Sequence, residues 1–323
     1  MEAEILKVLR SAKEDFVSGE ELGRRLGVSR SALWKSVQGL RKKGYEITGK
    51  RSSGYRLVSS PDILTAAEIS GALKTGFIGR PVVIMERTSS TNTSAMEMGV
   101  EGATEGTAVV AETQDLGRGR MGRRWISPRG INLYTSILLR PDMTPAESLK
   151  ITLAAAVAAA RTVERASGLT PEIKWPNDIL LGGRKVAGIL TEMTSELDAL
   201  YFVVVGIGIN VNMEEDEIPV EIRRTATSLA IETGRKYRRA LFAADLFAEL
   251  ERVYLHLNGG RWGEVLDEWR AYAEPMTGRD VRIRCREETI GGIISGVDDD
   301  GALILRDDRG NPKRILAGDV LTA

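Results

Sequence analysis

The alanine-rich run at residues 151–160, ITLAAAVAAA, limits what this chain can fold into more than any other segment. Alanine is the strongest helix former, so residues 145–167 read as one helix, and Gly168 supplies a residue able to stop it. Apolar side chains lie nearly all round this helix and not on one stripe, so it has to be buried centrally. Ten residues between Lys150 and Arg161 fall short of the roughly 20 needed to cross a bilayer, so the helix is covered by protein and no membrane contact is expected.

What covers it reads as mostly extended. Residues 81–87 (PVVIMER), 107–113 (TAVVAET) and 131–139 (INLYTSILL) have strand character, and residues 173–175 are extended ahead of a proline. Residues 179–181 and 185–192 form a hairpin about Gly182-Gly183, and residues 200–212, LYFVVVGIGINVN, are the most strongly β segment. Short connections favour antiparallel neighbours, so the expectation is a mixed sheet and not a doubly wound parallel one. Residues 238–258 and 261–273 add two amphipathic helices. From about Thr277, the segments VRIRCR, TIGGIISGV, ALILRDD and KRILAGDV give four or five short strands between Gly/Asp turns, a small barrel-like unit.

Charge is unevenly placed, although 45 Lys/Arg balance 45 Asp/Glu overall. Residues 1–60 hold 13 basic and 7 acidic side chains, net +6, which leaves the rest at net −6. Only the first segment is therefore expected to meet nucleic acid. In it, Ile5, Leu6 and Leu9 mark one helix and residues 19–26 a second. Gly27-Val28 turns the chain, Ser29 caps, and residues 31–43 carry Leu33, Val37 and Leu40 at helical spacing. Two short helices about a glycine turn make a helix-turn-helix, whose second helix enters the major groove. Arg30, Ser31, Lys35, Gln38 and Lys42 on its open side are candidate DNA contacts, as are Lys50 and Arg51 at the tip of a hairpin wing over residues 45–58. The alternative is a small helical interaction module with solvated charges. Trp34 interrupts the polar series and is read as packing against the body of the unit.

Pro61 and its polar neighbours mark a boundary, so three domains are expected: residues 1–60, 61–275 and 276–323. The acidic, amphipathic start is unlike a signal peptide, and the cytoplasm is the expected location. One cysteine and one histidine exclude an internal disulfide framework, a multi-cysteine zinc site and a His-pair motif, so no metal-ligating residue is assigned. His256 reads as a surface or half-buried helix residue.

The chemistry concentrates in GRGRMGRRW, residues 117–125, where four arginines and three glycines precede a tryptophan. Gly117 and Gly119 let backbone approach a ligand and move. Arg118, Arg120 and Arg123 add planar forks suited to carboxylate or phosphate oxygens, and Trp125 can cover an apolar or heteroaromatic group. The loop opens no helix and no Gly-Lys-Ser/Thr occurs, so it is not a P-loop. Ser90-Thr91-Asn92 offers small hydrogen-bonding groups, KWPND (174–178) a polar tip after a rigid stretch, and Lys185 a lone cation on a strand with Gly188 beside it. Gly206 and Gly208 read as close-packing strand glycines, the third glycine of a dinucleotide fingerprint being absent.

In order and spacing, STN, ETQDLGRGRMGRRW, KWPND, RKVAGIL and GIGINVN resemble the biotin protein ligases. SGEELGRRLGVSRSALWKSVQGLRKKGYEI resembles the DNA-binding domain of their bifunctional members, which also repress biotin operons; the likeness runs from about residue 4 to the end. It implies an α+β multidomain chain with an N-terminal winged helix-turn-helix, a central mixed-sheet α/β ligase domain of class II synthetase-like type, and a C-terminal SH3-like β-barrel. It implies biotin and ATP as substrates, with Mg2+, and a biotinyl-5′-adenylate intermediate. The biotin carboxyl carrier protein of acetyl-CoA carboxylase is the implied acceptor, operator DNA a partner, and homodimerisation on adenylate binding, between sheet edges, the switch. Carried over by motif, Ser90, Thr91, Asn92, Gln114, Arg118, Gly119, Arg120, Lys185 and Gly188 surround biotin, while Arg123, Trp125, Asn177 and Asn210 hold the adenylate side. Lys185, Arg118 and Arg120 are the expected catalytic cations. Asp178 reads equally as the base for the acceptor lysine or as a turn cap. Two alternatives remain at this stage, a ligand-sensing transcription factor without ligase activity and a lipoate ligase.

Overall fold

The computed structural model describes residues 1–196, 199–285 and 288–321. Three helices and a hairpin come first: α1 (Glu2–Ser11), α2 (Gly19–Leu26), α3 (Arg30–Lys42), β1 (Glu46–Lys50) and β2 (Gly54–Ser59). The Ser18 and Ser29 hydroxyls accept the Glu21 and Ala32 amides at 3.0 and 3.3 Å, so both helices of the helix-turn-helix start on serine caps. Between them Gly27 sits at φ 64°, the left-handed turn residue. Ile5, Leu6, Leu9, Leu22, Leu33, Val37 and Leu40 close a separate small core with Tyr45 and Ile47. Trp34 departs from expectation. Leu33, Val37 and Leu40 already fill the inward stripe of α3, and the indole stands 55% exposed instead of packing on the domain body.

The central part contains α4 (Ala66–Ala72), β3 (Val82–Met85), α5 (Thr91–Val100), β4 (Ala108–Ala111), β5 (Leu133–Leu139) and α6 (Ser148–Ser167). It continues through β6 (Glu172–Lys174), β7 (Asp178–Leu181), β8 (Arg184–Glu196), β9 (Ala199–Ile209), α7 (Leu229–Thr233), α8 (Arg239–Asn258) and α9 (Trp262–Ala273). Seven strands pair in the order β3-β4-β5-β9-β8-β7-β6; β3 and β4 run parallel and every other neighbouring pair is antiparallel, the mixed sheet that was expected. Strand alternation divides the two faces. Ile137, Leu139, Val203, Val205, Ile207 and Ile209 face the main core, shared with the buried alanines of α6 and with α8. Leu138, Phe202 and Val204 face α5 through Ala95. Beyond them on that second face β9 carries Gly206 and Gly208, and the cleft opens there.

Five antiparallel strands end the chain: β10 (Asp280–Cys285), β11 (Glu288–Val297), β12 (Leu303–Arg306), β13 (Pro312–Ile315) and β14 (Asp319–Leu321), in the order β13-β12-β11-β10-β14. Arg286, at the end of VRIRCR, lies outside the described residues. Val281, Ile283, Ile294, Leu303, Leu305, Ile315 and Val320 continue the central core without a break. The N-terminal unit is joined differently. Glu68 of α4, fully buried, accepts from the Tyr45 hydroxyl at 2.6 Å, from Arg238 at 2.9 Å and from Arg10 of α1.

Candidate active site

Three glycines make the floor of the cleft. A Cβ on Gly206 would collide with Asn92, and one on Gly208 with the Trp125 indole, which also lies on Gly188. The first turn of α5, the arginine loop and the strand tips therefore sit directly on the sheet, and both β9 glycines are the close-packing residues expected.

Two chambers share a wall. The inner one, about 50 Å³, is lined by Ser90, Thr91, Asn92, Gln114, Arg118, Gly119, Arg120, Lys185 and Gly188. The outer, about 190 Å³, is lined by Arg123, Trp125, Asn177 and Asn210, with Asp178, Met213, Pro219 and Ile222. Arg120, Trp125, Asn177 and Lys185 border both. The thirteen residues carried over by motif thus come together around these two chambers.

Hydrogen bonds hold the inner chamber in shape. Gln114 Oε1 accepts from the Thr91 amide at 2.9 Å and its hydroxyl at 3.2 Å, while Gln114 Nε2 donates to Ser127 at 3.0 Å. Asn92 Nδ2 donates to the Leu190 carbonyl at 3.1 Å and to Glu192 at 2.7 Å; the Ser136 hydroxyl donates to Asn92 Oδ1 at 2.6 Å. Ser90 is buried at the N-cap of α5 with no side-chain cap bond.

Lys185 reaches the cleft through a β-bulge. Ile179 and Leu180 of β7 face Ala187 and Lys185 of β8, so Val186 is the extra residue and Lys185 shares a face with Gly188. Its Nζ lies 2.6 Å from Asp178 Oδ1 and 5.3 Å from the centroid of the Trp125 ring. Asp178 is therefore an ion-pair partner of Lys185 at the start of β7. Asn177 Nδ2 donates to the Ile189 carbonyl at 2.8 Å, and Asn210 Nδ2 to that of Thr227 at 2.9 Å.

Arg118 has an anchor of its own, while Arg120 and Arg123 share Asp319. Arg118 donates to Glu192 at 2.9 Å and to Thr93 at 3.3 Å. Arg120 donates to Asn177 Oδ1 at 3.3 Å and lies 3.8 Å from Asp319, and Arg123 pairs with Asp319 at 2.9 Å. Burial lowers the Arg120 pKa, with Asp319 and Asp178 pulling it back up. Lys174 of KWPND is also lowered, by burial first, against the attraction of Asp178.

Sequence reasoning left out Glu192, Ser136, Asp319 and the apolar wall of Met213, Pro219 and Ile222. Glu192 was findable: alternation from Gly188 through Leu190 places it on the site face of β8. Asp319 was not, because it arrives from the last strand, far along the chain. His256 is half-buried in α8, its Nδ1 3.3 Å from Glu264.

On the N-terminal unit, Arg30, Ser31, Lys35, Lys42, Lys50 and Arg51 are exposed and Gln38 partly so. A groove of about 1120 Å³ runs between α2, α3 and the wing, bounded by Arg24, Arg30, Trp34, Lys50, Arg51 and Tyr55.

Family profiles match all three parts: "HTH domain" over residues 2–56, "Biotin/lipoate A/B protein ligase family" over 84–210, and "Biotin protein ligase C terminal domain" over 277–321. The chain belongs to the biotin protein ligase family. The bifunctional ligase/repressor BirA of Bacillus subtilis is 38% identical over 317 residues, covering 98% of this chain and 97% of that one. The protein of the same name from Escherichia coli is 33% identical, covering 92% and 90%. A solved biotin protein ligase from Aquifex aeolicus, in complex with biotin and ATP, aligns with a TM-score of 0.65 at 28% identity, covering 75% of this chain and 98% of that one.

Proposed function

We propose that this chain is both a ligase and a repressor. It joins biotin to ATP, taken up as its Mg2+ complex, giving biotinyl-5′-adenylate and pyrophosphate. It then moves the biotinyl group to one lysine of the biotin carboxyl carrier protein of acetyl-CoA carboxylase. The observation carrying this reading is the pair of chambers that meet at Arg120, Trp125, Asn177 and Lys185: a small acid enters one, a nucleotide the other, and the reacting atoms meet at the wall.

In the first step a biotin carboxylate oxygen bonds to the α-phosphorus as the bond from that phosphorus to the pyrophosphate oxygen breaks. Two anions approach and negative charge builds, so cations already in place lower the barrier. Arg118, Arg120 and Lys185 border the inner chamber and serve that purpose. Ser90, Thr91, Asn92 and Gln114 offer the polar groups for the other end of biotin, and Gly188 leaves space. Asn177, Asn210, Arg123 and Trp125 hold the nucleotide, whose purine suits Met213, Pro219 and Ile222. Mg2+ carried in on the ATP phosphates would offset the charge of the departing pyrophosphate. The arginine loop shields the anhydride from water. In the transfer the lysine amine attacks the carbonyl carbon, the bond from that carbon to the phosphate oxygen breaks, and AMP leaves. The amine proton passes to Asp178, the carboxylate beside Lys185.

With adenylate bound, two copies pair between sheet edges and set two recognition helices on the operator of biotin-synthesis genes. The ligand drives this by binding the dimer more tightly than the monomer, a coupling typically of about 1–3 kcal/mol. Both reactions belong in the cytoplasm. Pyrophosphate exchange into ATP is expected with biotin and not with lipoate; no exchange with biotin sinks the ligase reading. Biotin and ATP together are expected to shift sedimentation toward dimer. Identical sedimentation with and without them leaves a ligase with an unrelated DNA-binding unit.

A further inference from the structure

Trp34 takes no part in the chemistry above and none in the core. Of the five tryptophans it is the exposed one: Trp175 and Trp269 are buried, while Trp125 and Trp262 are partly covered. Its neighbours one turn away on α3 are Arg30, Ser31 and Gln38, with Lys35 next in sequence, so the indole lies in the middle of the candidate DNA contacts. No acidic residue occurs anywhere in α3, and Arg24, Lys50 and Arg51 line the groove that the indole borders. Glu20 is the one carboxylate along that groove. A second copy of the chain is a poor occupant for this surface, because a two-fold pairing would set these cations against themselves.

Duplex DNA fits the charge, but it narrows what an indole can touch. The major-groove edges of the bases are nearly all donors and acceptors, and the apolar group they present is the C5-methyl of thymine. We propose that Trp34 is a specificity-determining residue that reads thymine, its ring covering that methyl group while Arg30 and Lys35 take neighbouring phosphates or base edges. The inference rests on the DNA-binding part of the proposed function and adds the base that is read.

The test uses the full chain with biotin and ATP. A duplex is enriched from a random library with wild-type protein, and each of its thymines is then replaced by uracil, which removes only the methyl. Wild type is expected to lose about fourfold in affinity at one thymine per half-site, the effect of leaving one methyl unburied. Trp34→Ala is expected to bind the thymine and uracil duplexes alike, and Trp34→Phe to keep part of the difference. Lys35→Ala serves as the contrast: weaker on both duplexes equally, with a shallower salt dependence. A wild type indifferent to uracil at every position, or a Trp34→Ala protein that still discriminates, overturns the thymine assignment and leaves DNA binding standing. Failure of wild type to enrich any duplex removes the DNA-binding reading and this inference with it.

Discussion

The two flanking units are of similar size and flank one central domain, yet different physics attaches them. The C-terminal sheet continues the main apolar core through Val281, Ile283, Ile294 and Leu303, and it sends Asp319 to the arginine loop. The N-terminal unit closes a core of its own, against which Ile63 packs just after the linker, and otherwise meets the rest through a charged cluster on Glu68. Apolar continuity makes two segments one folding unit, because neither buries its surface alone. A buried ion cluster adds little net adhesion, since desolvation offsets much of the attraction, but it fixes one geometry. The C-terminal sheet is thus part of the ligase, and the helix-turn-helix is a separable reader docked in a defined orientation.

Truncation tests that contrast most severely. Removing residues 276–323 is expected to abolish exchange and leave an aggregated or partly unfolded protein by circular dichroism. Removing residues 1–60 is expected to leave a cooperatively folding enzyme that exchanges pyrophosphate and no longer binds DNA. Equal collapse of both truncated proteins breaks the comparison, since a polar junction would then be as structural as an apolar one.

Two substitutions sharpen it inside the site. Lys185→Ala should slow adenylate formation by roughly 10²–10³-fold, the scale for one preorganised donor at developing charge. The fold should survive, because the side chain faces the cleft; near-normal exchange by a folded mutant takes Lys185 out of the mechanism. Asp319→Asn removes the anion that holds Arg123 and faces Arg120 without touching the substrate chambers' floor. Asp319 holds the two arginines as ion pairs, and Arg123 is largely exposed; such a pair contributes up to about 1 kcal/mol, so loss of about fivefold at most in kcat/KM is expected, with free adenylate escaping to label bystander lysines on an added protein. Unchanged kinetics would mean that the C-terminal sheet supports the ligase by packing alone.

Much of this is readable in the sequence. Periodicity separated helix from strand because each strand buries alternate residues and α6 buries nearly all of its own. The residues lining the two chambers were legible because short motifs sit on adjacent strand ends and loops. Three features were not. Trp34 reads as inward because it interrupts a polar series on α3, but the inward stripe of that helix is already complete. The orientation of Lys185 depends on a bulge whose signature is cross-strand register, which single-strand alternation does not contain. Glu68 looks like an ordinary solvent-facing helix glutamate, and only Arg10, Tyr45 and Arg238, brought from three other places in the chain, explain its burial.

That glutamate gives the mildest test for catalysis and the most direct one for the junction. Glu68→Gln keeps the shape and removes the charge, leaving Arg10 and Arg238 facing each other with no anion between them. Breaking a fully buried pair costs about 3–5 kcal/mol, but these arginines are 26% and 37% exposed, so water recovers part of it. A residual cost of about 1–2 kcal/mol moves the balance between docked and undocked helix-turn-helix five- to thirtyfold. Each unit retains its own core, so exchange should stay near wild type while protease cleavage in the linker around Pro61 accelerates by about that factor. The increase in DNA affinity on adding biotin and ATP should shrink in parallel, because an undocked reader no longer inherits the geometry of the dimer. Unchanged linker cleavage alongside a large loss of exchange would reverse the assignment, making the Glu68 cluster part of the ligase fold and the N-terminal unit no more separable than the C-terminal one.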